Sequence, residues 1–150
     1  MSDLLPSPDV APGPVLFVCE HGVAKSLLAK LLFEHHARAA GITVSAEARA
    51  TTPDAALPPW MLEHLKATQL DAGSFTPRAL DPSDVAAAAR VVSFDLPEVA
   101  ATAASCAVSG EQWDAIPLAS QEFAAAFAAI DARVRALVEE FRYRSGDRGP

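Results

Sequence analysis

The stretch VLFVCEHGVAKSLLAKLLF, residues 15–33, decides the reading of this chain. Val15–Cys19 is an unbroken apolar run rich in β-branched and aromatic side chains, the pattern of a strand buried on both faces. From Lys25 to about Ala40, Leu27, Leu28, Leu31 and Leu32 recur at helical spacing, and Gly41 marks the stop. Between strand and helix lies the loop CEHGVAKS, residues 19–26. A helix start presents unpaired N–H groups and the positive end of its dipole. Successive loop amides can converge there into an anion cradle. Gly22 permits the left-handed backbone that a tight cradle needs. Lys25 adds a cation, and Ser26 adds a hydroxyl that can hydrogen-bond a thiolate. A cysteine facing such donors ionises more readily, and the thiolate is the nucleophile. Glu20 opposes this if it points inward.

The plain alternatives are a buried inert cysteine at Cys19 and a solvated first-turn lysine at Lys25. A first-turn lysine is mildly unfavourable for the helix dipole, which hints at a purpose. The ATP-type phosphate loop also ends in Lys-Ser, but it requires glycine directly before the lysine. Here that position is Ala24, and Gly22 stands at the wrong distance.

Outward from this stretch, ITVSAEA (residues 42–48) reads as a second strand. A helix follows Pro58 and Pro59, since proline suits a first turn. SFTPRALDPSDVAAAA is a loop and a short helix capped by Asp or Ser. RVVSFD is a third strand, LPEVAATAAS a short helix, and EQWDAIPLA a weak fourth strand and loop. From Ser120 to about Arg142, Phe123, Phe127, Ile130, Val134, Leu137, Val138 and Phe141 mark the buried stripe of one long helix. Alternation of this kind predicts an α/β domain with a parallel sheet and helices on both faces. Ligands in such sheets bind beyond the carboxyl ends of the strands, near the switch point. Cys19 lies at that end of the first strand. The domain is expected over residues 15–142, after a flexible lead-in at 1–14 with four prolines and before a frayed tail at 143–150.

Composition narrows the function. The chain has 150 residues, 51% of them hydrophobic, enough for the core of one domain. Its formal charge of −7 argues against nucleic acid and anionic membranes as partners. The N-terminus carries no secretory pattern, no segment is long and apolar enough to span a membrane, and Cys19 and Cys106 read as free thiols. A cytoplasmic location follows as an expectation. His35, His36 and His64 read as exposed helix histidines, which could hold a metal only if the fold brought them together. Trp60 and Trp113 read as packing residues, with Trp113 carrying the alternative of lining a site.

The loop Cys19, Glu20, His21, Gly22, Val23, Ala24, Lys25, Ser26 resembles the active-site loop of the low-molecular-weight protein tyrosine phosphatases and of the thioredoxin-coupled arsenate reductases that share their fold. Those families carry Cys, five residues, Arg and then Ser or Thr after the first strand. Residues 44–80 are similar to the family's second strand, its SAGT-P turn and the helix after it. AARVVSFD resembles its third strand, ending in Asp95, and residues 112–141 its tryptophan-containing loop and final helix. The resemblance covers about residues 14–142. It implies a three-layer α/β/α fold with a four-stranded parallel sheet. It also implies that residues 20–26 hold phosphate or a similar oxyanion, while Cys19 attacks phosphorus with help from Ser26. Lys25 would stabilise the equatorial oxygens, and Asp114, Asp95 or His21 would protonate the leaving group. A phosphocysteine intermediate would then be cleaved by water, with no metal or organic cofactor.

Three departures bear on that picture. Lys25 replaces the loop arginine and lacks its two-pronged grip. Loss of one aimed transition-state donor costs about 100- to 1000-fold in rate. The late loop reads WDAIPLA, without the family's Asp-Pro pair. Gly22 stands where the family often has asparagine. The arsenate reductases relay a disulfide through two further cysteines, whereas this chain offers only Cys106, and Asp95 occupies the first relay place. An enzyme hydrolysing phosphate monoesters, phosphotyrosine among them, is the favoured reading. Its rivals are an arsenate reductase drawing on an external thiol and an oxyanion- or partner-binding protein with impaired catalysis. Substrate and oligomeric state are left open.

Overall fold

A computed structural model of the chain describes residues 13–146. Its elements run β1 (Val15–Cys19), α1 (Lys25–Ala39), β2 (Ala46–Ala50), α2 (Pro59–Thr68), α3 (Pro82–Ala87), β3 (Arg90–Ser93), α4 (Pro97–Ser105), β4 (Gly110–Gln112) and α5 (Phe123–Gly146). All strands are parallel and stand in the order β2-β1-β3-β4. The chain leaves β1 towards β2 and returns on the other side of β1 as β3, so the switch point lies between β1 and β3. The loops after these two strands therefore open the same crevice. This places the residues after Cys19 beside Phe94 and Asp95.

Strand alternation divides the core. Val15, Phe17 and Cys19 face a large apolar cluster with the inner sides of α1, α2 and α5. Leu16 and Val18 face a smaller one with Val85 of α3 and Val99 and Ala103 of α4. Phe17 is fully buried and packs on Phe33 of α1 and on Trp113, with ring centroids 6.1 and 5.8 Å away. Burying each such ring contributes about 1.5–3 kcal/mol. The result is a three-layer α/β/α domain with a four-stranded parallel sheet.

Boundaries differ from the sequence reading in places. β2 begins at Ala46, because Gly41 at φ +74° and the Ile42 N–H on the Ala37 carbonyl close α1 and leave the next residues turning back to the sheet. α5 begins at Phe123 and continues past Arg142 to Gly146. Most of the expected lead-in, residues 1–12, and residues 147–150 of the expected tail lie outside the described residues. Pro14 is held in place, since its carbonyl accepts the Ala89 N–H at 2.8 Å.

Two arginines of the sheet, Arg49 on β2 and Arg90 on β3, have their charges paired. Arg49 donates to Asp84 at 3.2 Å. Arg90 donates to Glu111 at 2.9 Å and to Glu140. The Glu140 hydrogen bond raises the Arg90 pKa against the opposing effect of burial, so this guanidinium stays charged.

Candidate active site

The site begins with what β1 does at its end. Cys19 is 8% exposed, and its side chain faces the larger core cluster below the mouth of α1. Two donors meet its sulfur. The Gly22 N–H points at Sγ from 3.3 Å, and the hydroxyl of the fully buried Ser26 lies 2.9 Å from it. Gly22 has φ +74°, and a Cβ there would come within 2.9 Å of the Ala50 Cβ. Only glycine folds the loop back over the sulfur so closely.

The loop is braced from outside. The carbonyls of Cys19, Glu20 and His21 accept the N–H groups of Thr51, Thr52 and Asp54 at 3.2, 2.7 and 3.2 Å. Its carbonyls are thus engaged by the segment after β2. α1 starts without a side-chain cap, its N-cap residue being Ala24, and its first turn holds no acidic residue. Uncapped first-turn amides are the donors an anion uses.

Above the thiol opens a cavity of about 370 Å³. Cys19, Glu20, His21, Gly22, Val23, Ala24 and Lys25 form one side of it, and Asp95 another. Asp95 has φ +59°, a conformation that aspartate tolerates better than most residues. The Ser93 hydroxyl donates to the Leu96 carbonyl at 3.2 Å and braces the same turn. The Lys25 ammonium donates to the Ile116 carbonyl at 3.1 Å and lies 3.6 Å from an Asp95 carboxylate oxygen. His21 turns to the segment after β2, with Nδ1 3.2 Å from both the Thr52 carbonyl and Asp54.

Asp114 is not brought to this cavity. Trp113 takes the inward position after β4, against Phe17 and Phe94, and neighbouring side chains in extended chain point opposite ways. Asp114 is therefore exposed and accepts from the Gln112 amide at 2.9 Å. Trp113 is 2% exposed and is a core residue, not part of the cavity lining.

The apolar wall comes from elsewhere. Trp60, in the first turn of α2, lines the cavity, joined by Phe94, Leu96 and the segment Leu118–Ser120. Sequence reasoning missed these. The signal available was an exposed leucine in a proline-flanked loop, which reads as ordinary surface. His35 is exposed with its ring edge-on to His36, centroids 5.1 Å apart, but His36, bonded to Asp131 at 2.7 Å, and His64, stacked on Phe123 at 3.9 Å, are half-buried rather than exposed.

The family model that matches this chain, over residues 14–116, is that of the low molecular weight phosphotyrosine protein phosphatases. The chain belongs to that family. No curated protein matches it in sequence. Several solved structures share the family fold. The thioredoxin-dependent arsenate reductase of Corynebacterium glutamicum is 22% identical with a TM-score of 0.71, over 90% of this chain and 65% of that one. This chain thus spans less than two thirds of that reductase. A low molecular weight phosphotyrosine phosphatase of Vibrio cholerae is 14% identical with a TM-score of 0.73, covering 88% of this chain and 98% of that one. Wzb of Vibrio vulnificus, solved in complex with benzylphosphonate, is 11% identical with a TM-score of 0.71, covering 87% and 99%. Across such distances only the fold transfers. The Cys19–Ser26 loop falls inside the matched family region, as do Asp95 and Ile116.

Proposed function

We propose that this member of the family is a cysteine-dependent phosphatase acting on small aryl phosphate esters, phosphotyrosine among them. The observation that carries this reading is the Cys19 sulfur, met by the Gly22 N–H and the Ser26 hydroxyl at the floor of a cavity with apolar walls. A bare oxyanion gains nothing from Trp60 or Leu118, whereas an aromatic leaving group does. That the Wzb neighbour was solved with benzylphosphonate, a phosphonate carrying an aromatic ring, supports an aryl substrate.

In the first step the Cys19 thiolate attacks phosphorus, the S–P bond forms and the ester P–O bond breaks. The loop amides and the uncapped start of α1 hold the equatorial oxygens. A phenolate leaves with little need of an acid. In the second step Asp95, the carboxylate set at the switch point, accepts a proton from water. That water attacks the phosphocysteine, and phosphate and the thiolate separate. We place the protein in the cytoplasm, where Cys19 and Cys106, both free, stay reduced.

The deciding experiment compares wild type and Cys19→Ser on an aryl phosphate. Hydrolysis by wild type alone is expected, and equal rates would end the proposal. A parallel arm supplies arsenate with a small external thiol or thioredoxin. Arsenate-dependent thiol oxidation in the absence of aryl phosphate turnover would assign the site to arsenate reduction. Phosphate binding without either turnover would leave a binding protein.

A further inference from the structure

The lysine at the helix mouth is already occupied. Lys25 Nζ donates to the Ile116 carbonyl at 3.1 Å and pairs with Asp95 at 3.6 Å, and its side chain is only 14% exposed. One ammonium so joins three segments that border the cavity: the start of α1, the turn after β3 and the stretch after β4. We propose that Lys25 is a positioning residue, a strut that fixes Asp95 and the Ile116–Ser120 wall over the thiol, rather than the cation that grips the oxyanion.

Three observations support the strut. First, the pairing with Asp95 offsets the lysine's charge towards an incoming dianion. Second, both groups it holds carry a backbone constraint nearby: Asp95 itself has φ +59°, and Ala115, one residue before Ile116, has φ +62°. A non-glycine residue persists in that region when its surroundings hold it there. Third, the thiol has its own donors in Gly22 and Ser26, so the sulfur end of the site is complete without the lysine. The wall it steadies continues directly into α5. The Leu118 carbonyl accepts the N–H groups of Gln121 and Glu122 at 3.1 and 2.8 Å, just before Phe123.

The test reads the strut and the anion separately, because the role in turnover rests on the phosphatase reading while the strut does not. Amide hydrogen exchange at Gln121 and Glu122 reports the wall. Protection of Cys19 from iodoacetamide by inorganic phosphate reports the anion. Lys25→Met is expected to speed exchange at both amides at least fivefold and to shift the phosphate affinity by less than about threefold. If the enzyme turns over aryl phosphate, kcat should fall more than tenfold with KM nearly constant. Lys25→Arg, which can still donate to Ile116 and Asp95, is expected to restore slow exchange. A tenfold or greater loss of phosphate affinity in Lys25→Met with unchanged exchange would overturn the proposal. If wild type shows no phosphate protection, the oxyanion reading fails and the exchange result alone judges the strut. Should Lys25→Met not fold, Asp95→Asn serves, since asparagine also tolerates the left-handed backbone. Faster exchange without tighter phosphate binding is then expected. Phosphate bound tenfold more tightly with exchange unchanged would show a freed cation and defeat the strut.

Discussion

Ser26 Oγ lies 2.9 Å from Cys19 Sγ, with both groups buried and seven residues apart in sequence. Helix α1 makes this contact by starting at Lys25, which brings its second residue under the loop. A hydroxyl so placed donates to a thiolate at no cost in reorganisation. A hydrogen bond to a charged group is worth about 1.5–3 kcal/mol. Ser26→Ala is therefore expected to slow alkylation of Cys19 by iodoacetamide about 10- to 100-fold at neutral pH, with the fold intact by circular dichroism. An unchanged alkylation rate would mean the hydroxyl serves packing alone.

Gly22 answers to two constraints at once. Its φ of +74° disfavours any side chain, and a Cβ would press on Ala50 at 2.9 Å. A left-handed alanine costs about 1–2 kcal/mol before the clash is counted. For a domain of this size each kcal/mol lowers Tm by about 2–4 °C. Gly22→Ala should thus lower Tm by about 3–10 °C and weaken phosphate protection of Cys19, because the Gly22 N–H is displaced. A Tm and phosphate protection both equal to wild type would show that the loop has room to spare.

Cys106 stands on the far side of the sheet from the nucleophile. It packs beside Val99 and Ala103 against the Leu16–Val18 face, while Cys19 belongs to the opposite core. A disulfide between them would have to cross β1. Any thiol that resolves an oxidised Cys19 must therefore come from another molecule. Cys106→Ser is expected to leave aryl phosphate turnover, and any arsenate reduction, within about twofold of wild type. Loss of arsenate turnover alone would reveal a rearrangement that carries Cys106 around the sheet edge.

Much of this was legible in residues 15–33. Unbroken apolar Val15–Cys19 followed by spaced leucines reads as a buried strand feeding a helix, and Gly22 marks the left-handed turn between them. Periodicity also gave α5 its buried stripe, because side chains three and four apart share one helix face. What stayed hidden were contacts between segments distant in sequence. Lys25 meets Ile116 across 91 residues of chain, and no local pattern carries that relation. Of the two tryptophans that read as packing residues, Trp113 packs as expected, filling the space beside Phe17, whereas Trp60 lines the cavity. Asp114 was drawn to the site by its position near the family's acid, yet alternation with the buried Trp113 turned it outward.

The two aspartates give opposite expectations. Asp114→Asn should leave kcat/KM within about twofold, since its carboxylate lies outside the cavity and contacts Gln112. Asp95→Asn should lower kcat about 100-fold or more, the range for loss of a positioned general base. Without a dedicated acid, rates across substituted phenyl phosphates should rise steeply as the leaving group improves. A large loss in Asp114→Asn, or a flat dependence on the leaving group, would show that an acid protonates the leaving oxygen.

Acid stability depends on a contact far from the cavity. Asp131 on α5 accepts from His36 of α1 at 2.7 Å and from Arg135 at 2.8 Å. Partial burial alone would raise its pKa, but the hydrogen bonds and charges of His36 and Arg135 outweigh that and hold it below the ordinary 3.8. The folded value is thus lower than the unfolded one. Such a group stabilises the fold fully above the unfolded value, and its contribution is lost as pH falls through the folded value. Tm should therefore drop on acidification below about pH 4.5, with the Asp131 share lost progressively around and below the usual aspartate range near pH 3.9. Asp131→Asn should show a lower Tm than wild type at pH 6 and a flatter decline towards pH 3, so that the two curves converge. Thermal melts of both proteins at half-unit intervals between pH 6 and 3 measure this. Parallel curves would mean that the α1–α5 contact is held by apolar packing alone and that the Asp131 carboxylate adds nothing.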